Sequence, residues 1–369
     1  MVAAGLQRDV QGGVGKERNV VRSDRPQRHD FGVGLSRSVV VAFGQNSALV
    51  NEHGTDDGIG KRKSRSLSGK VQGALHVHGI GSHCAKVHPY LCRVTWRELQ
   101  QAFMQARSGF EPGEAGAHWR RWIEAQTGQS YARAALLFHE PASVDAVAEF
   151  RRTESDLRSA KPIQQILGFE YFDGLTFRID SNVLIPRPET EELVAEAAQR
   201  APFGVRVLDL GTGSGCIALA LKRRRADLRV AGLDCSCPAL AVAAENARRL
   251  ALEVDWHWGD LCEDPPAGLR AEVVVSNPPY IAPEEELAPE VRDFEPSLAL
   301  FAPSGDVLFY YRRILVWAEA LGATQLGFEC HRAHAAAVAK QATDAGWDAH
   351  GSLDQFGAPR WVWAQKSRP

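Results

Sequence analysis

Between Val205 and Glu329, short apolar strand-like runs alternate with amphipathic helical runs, and no other feature restricts the fold of this chain as strongly. The strand-like runs fall at 205–210, 229–233, 254–258, 272–276 and 324–329, the helical ones at 217–224, 238–250 and 306–321. Such alternation implies a mostly parallel α/β sheet with helices on both faces, because each parallel crossover buries its helix against the sheet. Two more β-prone segments, 347–353 and 360–365, are placed to add an antiparallel edge.

The first strand, Arg206-Val-Leu-Asp-Leu210, runs into Gly211-Thr-Gly-Ser-Gly215 and then a helix. Glycines there let the backbone approach a nucleotide-like ligand closely. A dinucleotide fingerprint of the G-x-G-x-x-G type needs its third glycine at 216, which is Cys216, so a nicotinamide cofactor is the weaker choice. S-adenosylmethionine has no pyrophosphate to seat on a helix N-terminus, and it carries an amino group that Asp209 could stabilise through the loop amides. Asp234 ends the second strand, 19 residues beyond Gly215, where a carboxylate can accept hydrogen bonds from both ribose hydroxyls. Asp260 and Leu261 follow the third strand, where adenine contacts lie in this architecture. The expected cofactor-binding positions are therefore Asp209, Gly211, Thr212, Gly213, Ser214, Gly215, Asp234, Asp260 and Leu261, joined by Asn277.

After strand Val273-Val-Val-Ser276, Asn277-Pro278-Pro279-Tyr280 leaves the carboxyl end of a central strand, where open α/β sheets bind ligands. The two prolines fix φ and remove N–H donors, so the Asn277 side-chain oxygen and the Pro278 carbonyl form a rigid pair of acceptors. A planar –NH2 group fits that pair, and the Tyr280 ring can stack on a flat amide or base. Asn277, Pro278 and Tyr280 are the expected catalytic residues, with Pro279 completing the substrate contact. The chemistry is methyl transfer to a flat nitrogen, and at this level a protein amide and a flipped nucleic-acid base are both suited.

The rest of the chain adds organisation. Residues 1–93 are rich in Gly, Ser, Arg and Val without a sustained period, and are expected to be a disordered extension. Methionine occurs only at 1 and 104, so a true start near Val94 would also fit the change in character there. Apolar residues at three- and four-residue spacings, from Trp96 through Phe103, Trp119, Ile123, 134–138 and Val147 to Phe150, imply a helical domain over 94–161, with Thr95 and Ser143 as N-caps. A hairpin linker is expected over 162–190 around Asp173-Gly174, and the main α/β domain over 191–369.

Net charge is −2, but residues 1–93 hold 14 Lys/Arg against 7 Asp/Glu, leaving 29 against 38 in the remainder. An acidic folded part argues against a broad grip on a nucleic-acid backbone. The chain has no run of about 18 apolar residues and no secretory leader pattern, so a cytoplasmic protein is expected. The seven cysteines contain no C-x-x-C pair and are read as reduced thiols. Cys235-Ser-Cys237 is read as packing and His76, His78, His83 and His88 as a chance cluster, so no metal is expected.

Three segments together, Pro186-Arg-Pro-Glu-Thr-Glu191, Asp209-Leu-Gly-Thr-Gly-Ser-Gly215 and Ser276-Asn-Pro-Pro-Tyr-Ile281, resemble the HemK/PrmC family, the release-factor glutamine N5-methyltransferases. Ile166-Leu-Gly-Phe, Phe294-Glu-Pro-Ser-Leu-Ala-Leu-Phe301 and Asp354-Gln-Phe-Gly-Ala-Pro-Arg360 extend the resemblance over about Thr95 to Ala364. It implies a Rossmann-like class I S-adenosylmethionine-dependent methyltransferase with a small helical domain that helps grip the substrate. The implied substrate is the Gly-Gly-Gln glutamine of peptide chain release factors; separately, a monomer with no stable nucleic-acid partner is expected. Leu261 stands where the family often has an aromatic residue, and Cys235-Ser-Cys237 replaces the more usual residues after the ribose aspartate. The alternatives are methylation of a ribosomal-protein glutamine, against which Pro188-Glu-Thr-Glu191 speaks, and methylation of a DNA or RNA amino group.

Overall fold

The computed structural model describes residues 94–354 and 357–366, together with the backbone of two strands at 38–43 and 46–51. The chain divides into the units Met1–Leu75 and His76–Pro369. In the first, β1 (Ser38–Phe43) and β2 (Asn46–Asn51) pair antiparallel, Ser38 opposite Asn51. The valine run at 39–41 favours extended backbone, and a hairpin stands where the sequence reading expects no regular element. The remainder of the expected disordered extension, including the four histidines at 76–88, lies outside the described residues.

The second unit begins with helices α1 (Trp96–Ala106), α2 (Pro112–Thr127), α3 (Val144–Arg158) and α4 (Ile163–Leu167). Both expected N-caps form: Thr95 closes a reciprocal capping box with Glu98, and the Ser143 hydroxyl accepts from the Ala146 amide. Phe103, Trp119, Trp122 and Ile123 are fully buried and make the centre of this core, with Phe103 edge-on to Trp119 at 5.4 Å. Buried Arg107 donates to the carbonyls of Ser159 and Lys161, fastening the end of α1 to the α3–α4 link. The expected helical run at 134–138 is only a turn at Tyr131–Ala134 and a 3-10 turn at Ala135–Leu137. Ala134 is its one buried side chain, too little apolar surface to hold a longer helix.

Strands β3 (Phe169–Phe172) and β4 (Leu175–Arg178) form the linker hairpin. Asp173 and Gly174, at φ 51° and 71°, make the left-handed two-residue turn that matches strand twist. Helix α5 (Thr190–Arg200) leads into a seven-stranded sheet. Its strands are β5 (Arg206–Leu210), β6 (Arg229–Asp234), β7 (Asp255–Trp258), β8 (Val273–Ser276), β9 (Gln325–Glu329), β10 (Trp347–Leu353) and β11 (Pro359–Lys366). They lie in the order β10-β11-β9-β8-β5-β6-β7, with β5 to β9 mutually parallel.

The last two segments pair antiparallel, but they do not form a simple edge. β11 enters between β9 and β10, because Trp361, Val362, Trp363 and Ala364 are buried on both faces, whereas β10 is largely exposed. Helices α6 (Cys216–Arg224), α7 (Cys237–Leu250), α8 (Phe309–Leu321) and α9 (Ala335–Asp344) cover the sheet. α9 had no counterpart in the sequence reading, since its buried stripe is only Ala335, Val338 and Ala342. The chain moves in opposite directions from β5 to β6 and from β5 to β8, which opens a crevice at the carboxyl ends of β5 and β8.

Candidate functional site

The glycine loop folds back on the neighbouring strand. Gly211 and Thr212 amides donate to the Leu233 carbonyl at 2.8 and 3.0 Å, and the Gly213 amide donates to Asp234 Oδ2 at 2.9 Å. Gly211, Gly213 and Gly215 have φ of 71°, 54° and 80°, a region that suits glycine. Their roles differ. A Cβ on Gly211 or Gly213 would meet nothing within 4 Å, whereas one on Gly215 would come within 2.8 Å of the Trp256 ring. The first two leave open space above the loop, and the third is a packing glycine.

Asp209 is fully buried behind this loop. Its Oδ2 accepts from the Thr212 hydroxyl at 2.6 Å, an i to i+3 brace across the turn. Its Oδ1 has no hydrogen-bond partner of good geometry, and burial pushes the carboxyl up to about 7 against the Thr212 hydroxyl and the Ala218 amide, which hold it down. Asp234 has one oxygen on the Gly213 amide and the other on the Ser236 amide at 2.9 Å, so both remain able to accept a further bond. Burial raises its pKa, opposed by these main-chain N–H groups.

A cleft opens above the loop. Of the expected cofactor residues, Gly211, Gly213, Asp234, Asp260, Leu261 and Asn277 line it. Asp209 behind the loop, and Thr212, Ser214 and Gly215 within it, do not. Cys235 lines the cleft as a neutral thiol, pushed up to about 11 by burial, while Cys237 is exposed. Sequence reasoning missed two contributors. Tyr310, at the start of α8, lines the cleft close to Cys235, Asp260 and Cys262, where Leu261 lacks an aromatic ring. Asn246, fully buried on α7, binds the Arg178 backbone through both amide ends and donates to the Ser214 carbonyl at 3.0 Å, joining hairpin to loop. The Phe309-Tyr-Tyr311 run was the signal available for the first; nothing local marks the second.

The tetrapeptide is anchored to the same loop. The Ser276 hydroxyl donates to the Leu210 carbonyl at 2.7 Å, setting the start of Asn277–Tyr280 beside Gly211. Beyond it, the Ile281 amide donates to the Leu300 carbonyl and the Ala302 amide to the Ile281 carbonyl. A second cleft is lined by Asn277, Pro278, Pro279 and Tyr280 with Leu184, Arg187 and Val291. Asn277 and Pro279 line both clefts, so these are two ends of one continuous surface.

The segments that carried the resemblance close around this point. Glu295, buried, takes the Ile185 amide on one oxygen and the Arg187 guanidinium on the other. Gln165 donates to the Phe294 carbonyl at 2.9 Å, connecting the helical domain to the same segment. Burial raises the Tyr280 hydroxyl well above its ordinary range, so it is a neutral phenol whose ring lies 6.3 Å from that of His331.

A parallel core of five strands, a reversed strand inserted near one edge, and a glycine loop leaving the first parallel strand together define a class I methyltransferase. The family model of the methyltransferase small domain matches residues 189–324. The chain is 39% identical over 212 residues to the release factor glutamine methyltransferase of Geobacter sulfurreducens, covering 57% of this chain and 73% of that protein. It is 44% identical over 161 residues to the release factor glutamine methyltransferase of Bacteroides thetaiotaomicron, covering 43% of this chain and 58% of that protein. The solved protein-(glutamine-N5) methyltransferase of Alicyclobacillus acidocaldarius, described as release-factor-specific, is 27% identical, with a TM-score of 0.32 over 52% of this chain and all of that one. The chain belongs to the release factor glutamine methyltransferase family.

Proposed function

We propose that the chain uses S-adenosylmethionine to methylate the side-chain amide nitrogen of the glutamine in the Gly-Gly-Gln motif of peptide chain release factors. The observation that carries this reading is Asn277, which belongs to both clefts and can touch a group in each. When bound, the cofactor supplies a methyl group on a sulfonium, an electrophile strong enough to need no enzymic nucleophile. The open faces of Gly211 and Gly213 would seat its amino-acid end, and the spare lone pairs of Asp234 would take the ribose hydroxyls. Asp260, Leu261 and the Tyr310 ring would wall the adenine. The fully buried carboxyl of Asp209, beneath the loop, favours a positive charge above it, which fits the cofactor's amino group.

At the other end, the Asn277 oxygen and the Pro278 carbonyl accept the two hydrogens of the substrate amide. The amide nitrogen is a poor nucleophile because its lone pair is conjugated. Accepting its hydrogens stabilises the positive charge that develops there during transfer. Tyr280 restricts the amide plane, so the remaining contribution is orientation. A nitrogen methylated in this way is a strong acid and loses its proton without a dedicated base. One chain carries the whole site, which supports a monomer, and release factors act in the cytoplasm.

Labelled S-adenosylmethionine, offered separately with purified release factors, a ribosomal fraction and DNA, tests the reading. Label is expected on the release factors. Label on DNA or the ribosomal fraction alone would overturn it.

A further inference from the structure

Behind Asn277 lies a buried polar chain that the transfer reaction, as described, does not use. Glu329 ends β9 and Thr190 begins α5; both residues are 2% exposed. The Thr190 hydroxyl donates to Glu329 Oε2 at 2.7 Å, and Thr190 Oγ1 accepts from Asn277 Nδ2 at 3.4 Å. The second link is long, but its direction is fixed by the first. With Glu329 ionised, as it is above about pH 7, the one proton of the hydroxyl is committed to the carboxylate, so towards Asn277 the oxygen can only accept.

The two ends of an asparagine amide have nearly the same shape, and only hydrogen-bond partners decide which faces which way. At this position the choice is functional. An oxygen facing the shared cleft accepts a substrate –NH2 hydrogen, whereas an –NH2 in its place would repel it. We propose that Thr190 and Glu329 are positioning residues that turn the Asn277 amide so that its oxygen faces the substrate. This rests on the proposed reaction, for which it names the device that sets the acceptor.

Three variants test it: Thr190→Val removes the hydroxyl at constant shape, Thr190→Ser keeps it, and Glu329→Gln substitutes a group that can donate as well as accept. The orientation preference is worth one hydrogen bond, about tenfold in population. With release factor as substrate, Thr190→Val and Glu329→Gln should therefore lower kcat about twofold, as the productive orientation falls from about nine-tenths to about half, with the S-adenosylmethionine dissociation constant left at its wild-type value, and Thr190→Ser should restore kcat. Independently of activity, NMR should show slow solvent exchange of the Asn277 side-chain –NH2 in the wild type and in Thr190→Ser, and fast exchange in Thr190→Val. Wild-type kcat in folded Thr190→Val or Glu329→Gln, a loss in Thr190→Ser equal to that in Thr190→Val, or identical exchange in all forms would overturn the proposal. A wild type that transfers nothing to release factors would instead refute the reaction, while the exchange measurement still decides the relay.

Discussion

The glycine loop and the Asn277–Tyr280 tetrapeptide leave adjacent strands, yet they are held by different kinds of contact. The loop is built from its own neighbourhood: Asp209 braces Thr212 three residues on, and main-chain amides of 211–213 bond to the next strand. The tetrapeptide depends on distant chain. Thr190 lies 87 residues from Asn277 and 139 from Glu329, and Glu295 reaches 108 residues back to Arg187. A binding end made locally and an acceptor end made by convergence can be damaged separately, and this independence is open to test.

The largest separation is expected at Asn277. Losing one preorganised hydrogen-bonding group at a reacting centre costs about 10²–10³-fold in turnover, and Asn277→Ala should lose transfer by that factor. Its S-adenosylmethionine affinity, by calorimetry, should remain measurable. Loss of both together would erase the distinction between the two ends.

Asp234→Ala attacks the opposite end. Hydrogen bonds to a charged group contribute about 1.5–3 kcal/mol, so cofactor affinity should fall roughly 10- to 100-fold, with turnover at saturating cofactor largely kept. A turnover loss as large as that of Asn277→Ala would show that Asp234 also shapes the acceptor end.

The smallest effect is shared by the two ends. Asp209 and Glu329 are each fully buried and pushed up to about 7, far above an unfolded carboxyl. Folding therefore favours their protonated forms, and the stability they contribute is present below about pH 4 and lost as pH rises through about 7. Thermal unfolding without cofactor should occur at a temperature a few degrees lower, on the order of 5 °C, at pH 8 than at pH 5.5. Asp209→Asn and Glu329→Gln should each flatten that slope, and a midpoint rising with pH more steeply in the wild type than in the variants would contradict the sign.

The same contrast explains what the sequence revealed. The Asp173-Gly174 turn, the N-caps and the Asp209–Thr212 brace of the loop rest on interactions within a few residues, so residue type and spacing expose them. The insertion of β11 between β9 and β10 was not legible, because a run of buried aromatic residues marks a strand without naming its neighbours. Gly215 looked equivalent to Gly211 and Gly213 until Trp256, 41 positions later in the chain, was seen beneath it. Tyr310 and Asn246 were missed for the same reason: an aromatic beginning a helix and an asparagine inside one gain meaning only from what the fold brings against them. Asn277–Tyr280 stood out in the sequence, but nothing local pointed to Thr190 and Glu329 behind it.

Fragmentation mass spectrometry of a release factor incubated with this protein and S-adenosylmethionine bears most directly on the division between the two ends. The methyl group is expected on the side-chain amide nitrogen of the Gly-Gly-Gln glutamine, absent with Asn277→Ala although that variant still binds cofactor. A methyl group on any other residue, or an undiminished yield from Asn277→Ala, would contradict it.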